Sequence, residues 1–161
     1  IKIDNSDLRK LISFARNKKN KLKKSRFCCH NHIKDKVHEM IIYHEKNYYV
    51  RPHKHPGRSE SAHIIKGKVD ILIFNDEGKI LEIVKLGDKT TKSIFFYRLN
   101  CDYYHMFIIK SRYLIFHETS LGPFKRNNIK FAKWSPLNMT KLFQKSISQK
   151  IKNYENLQKK K

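Results

Sequence analysis

Apolar positions fall into three regimes along the chain. Leu8, Leu11, Ile12 and Ala15 recur at helical spacing behind Ser6, a residue able to cap, and predict an N-terminal helix with a basic outer face. Residues 17–24 are mostly Lys and Asn and read as a solvated helix end or linker. From Arg26 onward the pattern changes to short apolar or alternating runs. Strands are predicted at 37–43, 48–55, 62–65, 69–74, 80–86, 94–99, 104–109 and 112–118. Asn75-Asp76-Glu77-Gly78 is a hairpin turn in which Gly78 supplies a positive φ, and Gly67 and Gly87 read as further tight turns. After Gly122-Pro123-Phe124 an irregular segment carries Trp134 and Pro136 and is expected to pack across the strands. Met139, Leu142, Phe143, Ile147, Ile151 and Tyr154 then return to helical spacing, which predicts a C-terminal amphipathic helix whose apolar stripe is core or dimer contact. Eight short strands separated by turn signals point to a β-sandwich or jelly roll rather than an α/β sheet.

Within the second predicted strand, Arg51-Pro52-His53-Lys54-His55-Pro56 carries two histidines one residue apart. Side chains alternate along a strand, so His53 and His55 share a face about 7 Å apart, with Arg51 and Tyr49 expected on the same face. Imidazole nitrogens bind Zn, Fe, Ni, Mn or Cu. A carboxylate such as Glu60, arriving on the next strand after the Pro56-Gly57 bend, completes a mixed nitrogen and oxygen set. The plain alternative is a solvated strand face in a chain with nine histidines.

His-x-His, four residues, Glu, six residues, Gly resembles the first signature of the cupin superfamily. Residues 49–56, 59–67, 69–80, 116–124 and 131–136 are together similar to the WbuC family of cupin-fold metalloproteins, over a span of roughly 26 to 136. The resemblance implies an all-β cupin double-stranded β-helix, a jelly-roll barrel, flanked here by N- and C-terminal α-helices. It also implies one divalent metal ion held by His53, His55, Glu60 and His105, and a setting among genes for surface polysaccharide such as O-antigen. The second cupin signature departs from its pattern, since Asn100, Asp102 and Ile109 replace its Pro, Gly and Asn. His105 can therefore also be read as a packed strand histidine. Three His and one Glu leave a six-coordinate Fe, Mn or Ni two open positions and a four-coordinate Zn none.

Composition adds limits. The length of 161 residues suits one domain, expected as a basic helix and linker over 1–25, a barrel over 26–136 and a C-terminal helix and tail over 137–161. The net charge of +22 is concentrated at the ends, because residues 1–26 hold ten Lys or Arg against two Asp and residues 141–161 hold seven against one Glu. Nonspecific attraction to nucleic acid or anionic surfaces follows from that charge, but no nucleic-acid motif accompanies it. Three cysteines make no disulfide framework; reduced thiols are the default, with Cys28 or His30 lining a pocket as the lesser alternative. No apolar run is long enough to span a membrane, no signal-peptide pattern opens the chain, and a cytoplasmic protein is expected. His63 and His117 read as packed or supporting histidines. Arg51 is expected to bind an anionic substrate group or to pair with Glu118. Tyr49, Tyr104 and Glu118 are the candidates for the catalytic base. The first functional expectation is a metal-dependent isomerase, epimerase or oxygenase acting on a sugar or sugar nucleotide. Second comes a noncatalytic saccharide- or anion-binding cupin, and last a basic nucleic-acid-binding protein. A homodimer is expected because jelly rolls leave edges and faces to cover.

Overall fold

The computed structural model describes residues 1–21, 23–99 and 102–160. Expectations resting on Leu22, Asn100, Cys101 and Lys161 lie outside the described residues. In chain order the elements are α1 (Asn5–Arg16), β1 (Lys24–Cys28), β2 (Val37–Glu45), β3 (His53–Lys54), β4 (Glu60–Lys66), β5 (Lys68–Phe74), β6 (Ile80–Gly87), β7 (Phe96–Leu99), β8 (Tyr104–Ile109) and β9 (Tyr113–Leu121). A 3-10 turn (Arg126–Asn128), β10 (Lys130–Phe131) and α2 (Lys141–Gln158) complete it.

The strands form two five-stranded antiparallel sheets, ordered β1-β2-β9-β4-β7 and β10-β3-β8-β5-β6. Their inner faces enclose one core. Ile42, Ile64 and Phe116 of the first sheet pack toward Val69, Ile71 and Phe107 of the second. This is the jelly-roll β-sandwich with flanking helices that the strand pattern and the cupin resemblance lead one to expect.

The helices explain why some strands are apolar on both faces. β5 is buried at every position after Lys68, because its outward Leu72 and Phe74 lie under Ile147, Phe143 and Trp134. On the other sheet, Leu11 and Ala15 of α1 bury Tyr43 and Ile115. Asp4, not Ser6, caps α1. Its carboxylate accepts from the Ser6 and Asp7 amides at 2.7 and 3.0 Å, and the Asp7 carboxylate accepts in return from the Asp4 amide. Arg16 at the helix end donates to the Tyr43 hydroxyl at 3.0 Å and reaches Glu45 at 3.4 Å.

Strand bounds follow the expectation closely from β5 to β9, with two differences at the barrel's open end. The predicted strand 48–55 is regular only at His53 and Lys54. Two strands, β1 and β10, go unseen in the pattern: basic residues mask the alternation of the first, and the second has two residues. Gly78 has the expected positive φ of 77°, in the turn before β6. Gly67 turns β4 into β5 at φ 102°, where a Cβ would run into the Tyr113 carbonyl.

Candidate metal centre

The inner face of the first sheet changes character row by row. Ile42, Phe116 and Ile64 form an apolar row, Met40, Glu118 and Ala62 the next, and His38, Ser120 and Glu60 the row at the open end. From the second sheet, His53 on β3 stands directly opposite His105 on β8, and His55 follows in the loop after β3. Both sheets therefore send polar side chains into the same end of the barrel.

His53, His55 and His105 each offer a ring nitrogen, and the three nitrogens lie within 4.8 Å of one another. The Glu60 carboxylate joins them, with Oε1 2.8 Å from His105 Nε2 and Oε2 3.2 Å from His55 Nε2. His53 Nδ1 lies 2.8 Å from the Arg51 carbonyl, which can only accept. The proton is thereby fixed on Nδ1 and the Nε2 lone pair is left for a ligand. His105 is 1% exposed and its Nδ1 is buried without a hydrogen-bond partner among the described residues.

Electrostatics sharpen this set. Burial pulls the His53 imidazole down to about 3, helped by His105, so the ring is neutral at pH 7. Burial works against ionisation of Glu60, but His105 and His55 outweigh it and hold the carboxyl well below its usual range. Three imidazoles beside a carboxylate are a donor set that fits a divalent ion. Glu118 behaves in the opposite way: burial, then the nearby Glu60 charge, push it up to about 8 against the pull of Arg26.

Above these groups lies a cavity of about 390 Å³, within the range of small-molecule sites. His53, His55, Glu60 and Glu118 line it, together with Arg26, Arg58 and Asn128, which the sequence pattern did not single out. Cys28 and His30 line it as well, as their lesser alternative reading allowed. His63 and His117 pair across β4 and β9 and do not line the cavity.

Three sequence expectations are corrected. Arg51 does not enter the cavity. Its Nε donates to the Ser135 hydroxyl at 3.1 Å, its Nη2 donates to the Ser135 and Ala132 carbonyls, and it forms no pair with Glu118. Tyr49 donates to the Pro136 carbonyl and packs edge-on to Phe143. Tyr104 lies against Trp134 and under the Lys54 ammonium, on the outer face of its sheet. The physical reason is a slip in alternation. Tyr48 and Val50 pack on the inner core, Tyr49 and Arg51 face outward, and the phase shifts at Pro52, which has no N–H to hold a ladder. His53 therefore turns inward although Arg51 does not.

A family model described as "Domain of unknown function (DUF6016)" matches residues 3–86, just over half of the chain. The chain belongs to the DUF6016 family. The matched part of this DUF6016 chain includes His53, His55 and Glu60 and ends before His105. No curated protein matches it. Among solved structures it is similar to protein SO0799 from Shewanella oneidensis, with a TM-score of 0.59 and 9% identity over 80% of this chain and 85% of that one. It is also similar to oxalate decarboxylase from Bacillus subtilis at pH 4.6, with a TM-score of 0.52 and 14% identity over 67% of this chain and 27% of that one. A third is a Lactobacillus farciminis oxalate decarboxylase formate complex, with a TM-score of 0.51 and 13% identity over 67% and 31% of the two chains. The DUF6016 chain thus spans about a third or less of each oxalate decarboxylase. These likenesses concern the fold, and the fold is the cupin jelly roll.

Proposed function

We propose that this chain is a metal-dependent cupin of WbuC type, in which His53, His55, Glu60 and His105 hold one divalent ion, Fe, Mn, Ni or Zn, and which acts on a sugar or sugar nucleotide in surface-polysaccharide synthesis. The observation that carries the reading is the meeting of three imidazoles and one carboxylate from both sheets, of which His53, His55 and Glu60 line a single cavity. The sequence matches across residues 26–136 support the WbuC assignment and, with it, the substrate class.

A bound ion would polarise a carbonyl or hydroxyl oxygen of the substrate. Everything else falls to the chain. The Arg51 carbonyl orients His53 through Nδ1. Glu118, one row in from Glu60, is a carboxyl lining the cavity whose pKa burial and the Glu60 charge raise in the metal-free chain, a group suited to holding and passing a proton. Of the three candidate bases it alone lines the cavity, which favours it over Tyr49 and Tyr104 for moving a proton in an isomerisation, epimerisation or oxidation.

Elemental analysis of tag-free protein, with His53→Ala and His105→Ala variants alongside, tests the centre. The expected result is near-stoichiometric metal in the wild type, lost in both variants. Wild-type protein that carries no metal and takes up none when Fe, Mn, Ni and Zn are offered overturns it. Turnover is tested on the metal-loaded protein with sugar nucleotides, followed by NMR. Glu118→Gln is expected to abolish product while keeping the metal.

A further inference from the structure

Besides His53, His55 and Glu60, the cavity wall holds hydrogen-bond donors that the fold leaves without strong acceptors. Along β1, Phe27 packs beneath α1, and alternation turns Arg26 and Cys28 toward the cavity. The hydrogen-bond partner of the Arg26 guanidinium among the described residues is the Met40 sulfur at 3.7 Å, a weak acceptor. Asn128, in the 3-10 turn, lines the same cavity, and its amide nitrogen is buried with no partner among the described residues. Buried donors without acceptors are rare in folded proteins, and one beside a cavity marks where an acceptor from outside the chain fits.

The other charged groups do not compete for that place. Arg58 is committed, its Nη1 donating to the Leu121 and Pro123 carbonyls at 2.8 Å each. Glu60 is engaged with His55 and His105.

We propose that Arg26 and Asn128 form an anion-recognising end of the cavity, and that the ligand is a small molecule whose carboxylate or phosphate meets them while its remainder extends toward His53 and His55. The proposal rests on the reading of this cavity as the substrate site and takes over the role that the sequence pattern gave to Arg51. A planar guanidinium suits either anion through paired N–H donors, and the amide adds a neutral donor beside it.

The test is calorimetric titration of the full chain in about 0.3 M salt, where charges more than about 6 Å apart are largely screened and the terminal lysines contribute little. Glucuronate, glucose 1-phosphate and glucose are the probes, and the first two separate carboxylate from phosphate. One or both anionic sugars are expected to bind and glucose to bind far more weakly. Arg26→Gln and Asn128→Leu are each expected to weaken the anion by about tenfold or more, with the fold unchanged by circular dichroism. Lys85→Ala, paired with Glu155 outside the cavity, is expected to leave affinity unaltered. Equal affinity for glucose, no binding of either anion, or affinity untouched by Arg26→Gln overturns the proposal. Metal content measured on the same samples separates the two readings. Arg26-dependent anion binding without metal removes the metal centre alone, and full metal without anion selectivity removes this proposal alone.

Discussion

His44 is an imidazole outside the candidate centre. It sits on β2 with its ring 4.2 Å from Tyr48 and edge-on to Phe116, its Nδ1 buried without a partner among the described residues. Burial, with Lys24 nearby, pulls its pKa down to about 3. An unfolded histidine protonates near 6.5, so between pH 6.5 and 3 the unfolded chain binds the proton and the folded one does not. Stability therefore falls as pH drops through that window, by about 2–3 kcal/mol at pH 4.5 from this residue. Urea unfolding at pH 7 and 4.5 should show the loss, and His44→Phe should remove much of it. Glu118 has the opposite sign. Its folded pKa of about 8 exceeds that of an unfolded carboxyl, so in metal-free protein its contribution is present at low pH and is lost as pH rises toward 8. Glu118→Gln should raise the unfolding midpoint more at pH 8 than at pH 5.

At the scale of elements, the segment from β10 to α2 closes the open side of the second sheet. Trp134 donates to the Asp76 carbonyl and packs on Phe74 and Phe143. Arg51 ties the same segment through Ser135 and Ala132 and covers the Phe131 ring at 4.9 Å. Arg51→Ala is thus expected to cost about 1–3 kcal/mol of stability by denaturant unfolding, while metal content stays at the wild-type level. A loss of metal with stability retained would return Arg51 to the site. Much of this scale was legible in the chain: Val69 to Phe74 and Tyr104 to Ile109 are largely apolar runs bounded by turn residues, and their strands fall within a residue of expectation. β1 was not legible, because Lys24, Ser25 and Arg26 conceal a strand whose pairing with β2 is non-local.

For the whole molecule, charge is the dominant quantity. The net +22 sits mainly on the two termini, while the cavity is lined by both acidic and basic side chains, Glu60 and Glu118 with Arg26 and Arg58. Retention on a polyanion such as heparin is expected to be strong at low salt, to fall steeply as salt rises, and to be the same for His53→Ala. Retention that depended on His53 would tie polyanion binding to the cavity. Among the described residues, no helix is long and apolar enough to cross a membrane. The two helices lie on opposite outer faces of the sandwich, each sealing an apolar sheet surface that would otherwise be exposed.

Sequence alone determined the features that depend on local period and spacing. Alternating runs and turn residues led to the jelly roll, helical spacing led to the two flanking helices, and His53-Lys54-His55 with Glu60 led to a candidate metal centre. Tertiary structure decided what lies across the barrel from that motif. Pairing of β3 with β8 set His105 opposite His53, and pairing of β2, β4 and β9 put Glu118 one row from Glu60. The phase slip at Pro52 sent Tyr49 and Arg51 outward. Arg26 and Asn128 reach the cavity from chain positions 27 residues before and 75 residues after His53, read from the numbering. No local pattern relates residues so far apart; their meeting is fixed by strand pairing and by the packing of the closing segment, which are properties of the folded chain.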